Sequence, residues 1–189
     1  VLGKLFMINA WGIKGEQSVV SGNGVYLSFY ENGVQEMECG YKDSLRHGNY
    51  STWFASGNNH EAGFYVQGKK DSYWTTWNEN GKIAKSAQYR ANLLYGKYSE
   101  NYPNGTTSME GNYNDDKKHG QWIFYFRDGK KDMEGVFENG KQQGMWIYYY
   151  PSVDRKKQSE GKFNDDKRDS TWTYWYSDGS RWRIGDYKN

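Results

Sequence analysis

The chain has 189 residues, with 25 Lys or Arg against 23 Asp or Glu, a formal charge of +2. Residues 1–94 hold 9 basic and 8 acidic side chains and residues 95–189 hold 16 and 15, so each half stands at +1 and no basic stripe argues for nucleic-acid binding. Trp, Tyr and Phe number 9, 18 and 8, far too many for a disordered chain, and no apolar run approaches the ~20 residues of a membrane-spanning helix.

Residues 1–23 come first. Leu5, Phe6, Ile8, Trp11 and Ile13 are apolar enough to cover an open sheet end. Phe6 and Gly15 keep step with the repeats that follow, but Gln17 stands where an aromatic residue is due. The segment reads as an N-terminal cap or a degenerate repeat, since terminal repeats are usually atypical.

Residues 24–189 are then seven tandem repeats. Each opens on a small residue: Gly24, Gly48, Ser72, Gly96, Gly120, Gly144 and Ser170, at spacings of 24 with a last one of 26. Two places on, the slot is always aromatic: Tyr26, Tyr50, Trp74, Tyr98, Trp122, Trp146 and Trp172. Further aromatic slots lie five and six places after the opener, and a last one near the repeat's end runs from Tyr41 to Tyr187. Asn32-Gly33, Ser56-Gly57, Asn80-Gly81, Asn104-Gly105, Asp128-Gly129 and Asp178-Gly179 recur at one place, and such pairs between β-rich runs mark a hairpin turn. The sixth repeat replaces the turn with Pro151-Ser152-Val153-Asp154.

Each repeat therefore reads as strand, tight turn, strand and polar connector, as in Asn114-Asp115-Asp116-Lys117-Lys118-His119. No segment has a 3.6-residue apolar period, so almost no helix is expected. The predicted fold is all-β: an elongated single-layer antiparallel meander of tandem ~24-residue hairpins, about fourteen strands at ~4.8 Å each. A second small slot, filled by Cys39, Gly63, Ala87, Gly111, Gly135, Gly161 and Gly185, leaves room for a ring or for a special backbone angle. Cys39 accordingly reads as a small packed residue.

The phrase from Gly120 to Gly129, followed by Glu134-Gly135-Val136-Phe137, resembles the MORN repeat, and most closely the bacterial variant of YwqK-like antitoxin-family proteins. Residues 144–163 and 170–187 are similar, and the resemblance spans 24–189. It implies a β-hairpin per repeat in an elongated curved sheet, and roles in scaffolding, protein contact and, in some relatives, membrane association. The antitoxin label implies a toxin partner. The resemblance brings no catalytic residues.

Chemistry-bearing groups are sparse. His47, His60 and His119 are scattered, and with a single cysteine they make neither a zinc site nor a Cys–His nucleophile pair. Glu38, Glu110, Glu134 and Glu160 share one slot and form a ladder, for which Lys or Arg on the facing strands is the expected pairing. No catalytic residue, metal or cofactor is assigned. Val1 and the lone cysteine leave the compartment open between cytoplasm and cell envelope.

Along a strand the second and sixth slots share a face and the fifth points away. A single layer cannot bury rings on both faces, and the first strands of repeats five to seven are aromatic or apolar throughout. Tyr125, Tyr149 and Trp175, in the fifth slot, are the candidate partner-binding residues. The leading function is a non-catalytic protein-binding scaffold, antitoxin- or immunity-like or an accessory subunit. The alternative is a glycan- or envelope-binding module using the same aromatics, with nucleic acid excluded as partner.

Overall fold

The computed structural model describes residues 9–11, 17–151 and 156–188. The chain forms two compact units, Val1–Leu93 and Leu94–Asn189. The first contains β1 (Ala10–Trp11), β2 (Gln17–Val20), β3 (Asn23–Phe29), β4 (Gln35–Lys42), β5 (Leu45–Trp53), β6 (Asn59–Val66), β7 (Lys69–Trp77) and β8 (Ile83–Arg90). The second contains β9 (Leu93–Asn101), β10 (Thr107–Asn114), β11 (Lys117–Tyr125), β12 (Lys131–Glu138), β13 (Lys141–Tyr149), β14 (Lys157–Asn164), β15 (Lys167–Trp175) and β16 (Arg181–Tyr187). Within each unit the strands pair in chain order and antiparallel, so each is an open meander, and no helix occurs among the described residues. The seven hairpins supply fourteen strands, and β1 and β2 precede them. Leu5, Phe6, Ile8, Ile13 and Gly15, named for the cap, lie outside the described residues, as does the Ser152–Asp154 insertion; Trp11 is 61 % exposed and does not fill a core.

The two kinds of turn differ from the sequence expectation. At the Asn-Gly and Asp-Gly sites only the glycine is left-handed, as at Gly129 (φ 81°). The loop closes by Gly129 N–H to Phe126 O at 2.9 Å and Phe126 N–H to Lys130 O at 2.8 Å. The Asp128 carboxylate accepts from Lys130 N–H at 3.0 Å, which sets the turn locally. The two-residue turns with both φ positive are in the connectors, at Asp115–Asp116 (47° and 63°) and Asp165–Asp166 (50° and 65°). The polar residues beside them are strand, because Lys117–Tyr125 and Asn114 complete the backbone ladder. Each connector is tied to the previous one: Asp116 N–H donates to Leu94 O at 3.1 Å while Leu94 N–H donates to an Asp116 carboxylate oxygen at 2.7 Å.

The two small slots have separate causes. The openers Gly48, Gly120 and Gly144 have φ of 86°, 72° and 67° and nothing near a would-be Cβ, so the backbone angle selects glycine there. The second-slot glycines Gly63, Gly111, Gly135 and Gly161 have ordinary φ but are covered by indole rings. A Cβ on Gly135 would lie 2.2 Å from Cδ2 of Trp146, and one on Gly111, Gly161 or Gly63 would meet its tryptophan equally closely.

Those rings form the core of the second unit, while the first unit also buries Ala10, Val19, Cys39 and Tyr41 together. Trp122, Trp146 and Trp172 in the second unit are 0 % exposed and Trp74 in the first is 2 % exposed, with no second layer over them. Each lies flat on the glycine of the strand before it and donates its indole N–H to the next carbonyl, as Trp146 does to Val136 O at 3.2 Å. Aromatic edges close the sides: Phe137 meets Trp146 at 5.0 Å and 87°, and Phe163 meets it at 6.1 Å and 82°. Cations roof several rings, with Lys70 3.8 Å above Trp74, Lys118 4.4 Å above Trp122 and Arg168 4.5 Å above Trp172. Burial among these rings pushes the Lys118 ammonium below its ordinary range. In the first unit the buried Cys39 sits opposite Tyr50, and burial pushes its thiol up. That is the packed, unreactive state expected of it.

Candidate binding face

The tryptophans and their glycines occupy one face of each unit, and strand alternation sends the neighbouring residues to the other. On that other face of the second unit Glu110, Ile123, Glu134, Ile147, Glu160 and Thr173 stand opposite one another on successive strands. An isoleucine thus separates consecutive carboxylates, placing them two strand spacings, roughly 10 Å, apart. This spacing removes most of the like-charge cost that adjacent glutamates would carry.

The compensating cations do not come from facing strands. Lys131 Nζ lies 2.8 Å from Glu134 Oε2 and Lys157 Nζ 2.7 Å from Glu160 Oε2, each three residues earlier on the same strand. The step in register at that end of the hairpin, between Phe124 and Tyr125 in one and Tyr148 and Tyr149 in the next, makes this local pairing possible. Facing strands supply tyrosine instead. Tyr125 O–H donates to Glu110 Oε1 at 2.5 Å, and Tyr149 O–H donates to Glu134 Oε1 at 2.6 Å.

Tyr125 and Tyr149 are therefore on the face away from the tryptophan column, half-buried and held in place. Burial, the bond to a carboxylate and the nearby glutamate charge together push both phenols up to about 12. Burial alone would raise the Glu134 carboxyl, but the bonds from Lys131 and Tyr149 hold it below its ordinary value. Trp175 fills the same place in the seventh repeat, half-buried, with Lys157 Nζ 5.9 Å from its ring centre. The structure brings the three candidates into one row of equivalent positions.

The next slot in the same strands works differently. Tyr102 O–H donates to Tyr125 O at 2.7 Å and Tyr150 O–H to Trp175 O at 2.8 Å. These sixth-slot rings join consecutive hairpins through the backbone of Tyr125 and Trp175, each from the preceding hairpin.

Sequence reasoning had the glutamate ladder and the aromatic row but not the link between them. The signal was a constant offset: Glu110 to Tyr125, Glu134 to Tyr149 and Glu160 to Trp175 are each separated by 15 residues. Lys131 and Lys157 likewise precede their glutamates by three. Among the described residues no group of three His, Cys, Asp or Glu is placed to hold a metal ion. His119 is exposed, and His60 lies against the Phe54 ring at 4.4 Å.

Comparison with known families agrees with this repeat length. Residues 70–91, 94–115 and 118–139 each match the family model of the MORN repeat variant, as three tandem repeats. Each matched stretch starts two residues before the opener, at Lys70, Leu94 and Lys118, and ends in the connector turn. No curated protein matches the chain.

Proposed function

We propose that the chain is a non-catalytic binding scaffold whose partner is a protein, contacted through Tyr125, Tyr149 and Trp175. The observation that carries this reading is the preorganised row itself. Three large aromatic side chains stand at equivalent positions on an open face, and the two tyrosines are fixed by carboxylate bonds of 2.5 and 2.6 Å. Rings already held in one conformation lose little freedom on binding, and aromatic residues dominate interface hot spots. The match to the MORN repeat variant supports the reading, because such repeats generally serve in binding and scaffolding. The finer proposal is an antitoxin- or immunity-like partner protein that occupies another polypeptide by this face.

The test is capture from the native cell with the intact chain, followed by mass spectrometry and a comparison of variants. Tyr149→Ser with Trp175→Ser should weaken a stoichiometric protein partner by ~2 kcal/mol or more while the chain keeps the parent circular dichroism at the assay temperature. Tyr149→Phe, which keeps the ring, should bind nearly as well as the parent. Unaltered partner binding by the double variant, or retention only on polysaccharide with quenching of tryptophan fluorescence, would remove protein contact by this row.

A further inference from the structure

The repeats pair certain cations in a regular way, and two cations of the first unit are left out of it. In the second unit Lys141, the first residue of β13, reaches the next connector, where Asp165 Oδ2 lies 3.0 Å from its Nζ. Lys69 holds the same position in β7, and the residue that corresponds to Asp165 is Ala91. Within the first unit Lys70 Nζ lies 2.7 Å from Glu61 Oε1. Arg46 holds the place of Lys70 one repeat earlier, and Met37 stands where the glutamate would be. Neither Lys69 nor Arg46 has a carboxylate partner among the described residues.

These two side chains line one cavity. It has a volume of 380 Å³, with Gln67 and Asn92 contributed by the connector turns and Leu45 and Tyr41 as its apolar wall. Every polar side chain that lines it can donate a hydrogen bond, and none is an acid. Two of the donors are fixed before a ligand arrives. Arg46 Cζ lies 5.5 Å from the ring centre of Tyr50 and 5.4 Å from that of Tyr65, and Nη1–H donates to the Tyr65 hydroxyl at 3.2 Å. A guanidinium has five N–H donors in a rigid fork, so donors remain for a planar carboxylate. Asn92 Oδ1 accepts from Lys70 N–H at 2.6 Å, and Asn92 N–H donates to Lys70 O at 2.8 Å. This pair of bonds locks the residue and leaves its side-chain NH₂ group for a ligand. Lys69 is exposed and brings the second charge on a flexible stem.

We propose that this cavity binds a small organic dicarboxylate, with one carboxylate on the Arg46 guanidinium, the other on the Lys69 ammonium, and Asn92 as a neutral donor. The ligand's two charges match the two cations that the repeat leaves uncompensated. Its methylene chain lies against Leu45 and Tyr41, and the volume falls in the ~300–1,000 Å³ range of small-molecule pockets. An inorganic anion engages the same cations but leaves the apolar wall unused. The site belongs to the first unit and the Tyr125, Tyr149 and Trp175 row to the second, so either can fail without the other.

The probe is succinate, titrated by calorimetry into the full 189-residue chain at low ionic strength. It should bind saturably, shift the backbone amide resonances of Arg46, Lys69 and Asn92, and bind at least tenfold more tightly than acetate or inorganic phosphate. Ala91→Asp is the most direct variant, because it restores the missing acid. Ala91 has φ 52°, and Asp115 and Asp165 hold the corresponding turn position at 47° and 50°, so aspartate fits the backbone there and the parent circular dichroism should be kept. Its carboxylate should pair with Lys69 as Asp165 pairs with Lys141, and succinate affinity should fall at least tenfold. Lys69→Ala, at an exposed position, should lose as much, while Tyr149→Ser with Trp175→Ser should bind succinate like the parent. Absence of saturable succinate binding, equal affinity for acetate or phosphate, or full binding by either first-unit variant would overturn the proposal. Retention on phosphatidylserine vesicles with no response to succinate would also overturn it, by giving the cations to a lipid surface.

Discussion

Replacing Gly135 by Ala should be one of the most damaging single-methyl changes in the second unit. The added Cβ falls 2.2 Å from Cδ2, 2.3 Å from Cε2 and 2.6 Å from Cγ of Trp146, so the ring must lift by about an ångström to reach ordinary contact. Gly135 is not in the left-handed region, so alanine adds no backbone strain and even favours the strand by ~0.5–1 kcal/mol. Against that, the ring is 0 % exposed, and full burial of an indole is worth roughly 5 kcal/mol at ~25 cal/mol per Å² over ~200 Å². Lifting it forfeits a share of that burial. It also forfeits the bond to Val136 O, about 1 kcal/mol, and part of the edge contact with Phe137, ~0.5–1.5 kcal/mol. The net expectation is a loss of ~3 kcal/mol in urea denaturation, with amide protection falling first in β12 and β13. A smaller ring should relieve it, as where Cys39 stands opposite Tyr50. Gly135→Ala with Trp146→Tyr should therefore be no less stable than either single variant, a coupling of about 3 kcal/mol or more in a double-mutant cycle. Additivity within ~0.5 kcal/mol, or a Gly135→Ala cost below ~1 kcal/mol, would show that ring contact is not what selects glycine in that slot.

Gly129→Ala tests the other glycine class: with φ at 81° and no neighbour within 4 Å, its cost should be backbone strain alone, about 1 kcal/mol, and confined to its own and adjacent hairpins by hydrogen exchange. Ser170→Gly runs the opposite way, since Ser170 sits at φ 57° in a slot where other repeats have glycine, and its melting temperature should rise slightly. Tyr125 and Tyr149 should titrate near pH 12 by absorbance at alkaline pH, and Tyr149→Phe should remove one such late tyrosine. Because their folded pKa lies above the unfolded value of about 10, their stabilising effect is whole below pH 10 and declines as pH rises towards 12, and denaturation midpoints should fall across that window. Cys39, buried with a raised pKa, should react with a thiol reagent only at the rate at which the first unit opens, and rapid labelling of the native chain would contradict its packed position.

The repeat, the all-β class and the hairpin as its element were legible in the sequence, because a strict 24-residue period of aromatic and glycine slots reflects one local structure repeated. The alternation of strand residues also placed Tyr125, Tyr149 and Trp175 away from the tryptophan column. Other features depended on how strands lie beside one another. In sequence the Asn-Gly and Asp-Gly sites read as the tight turns and the Asp-Asp stretches as polar connectors, and only the closed backbone bonds show that Asp115–Asp116 takes the two-residue form while Asp128–Gly129 sits in a longer loop. Opener and second-slot glycines are the same letter, yet one answers a backbone angle at Gly144 and the other an indole lying on Gly135 from the next strand. The partners of the glutamate ladder were also a tertiary matter. A step in register lets Lys131 reach Glu134 along its own strand, and the next hairpin brings Tyr149 to the same carboxylate from 15 residues away. Local spacing determines which face a side chain takes; the register between neighbouring strands decides which group it meets there.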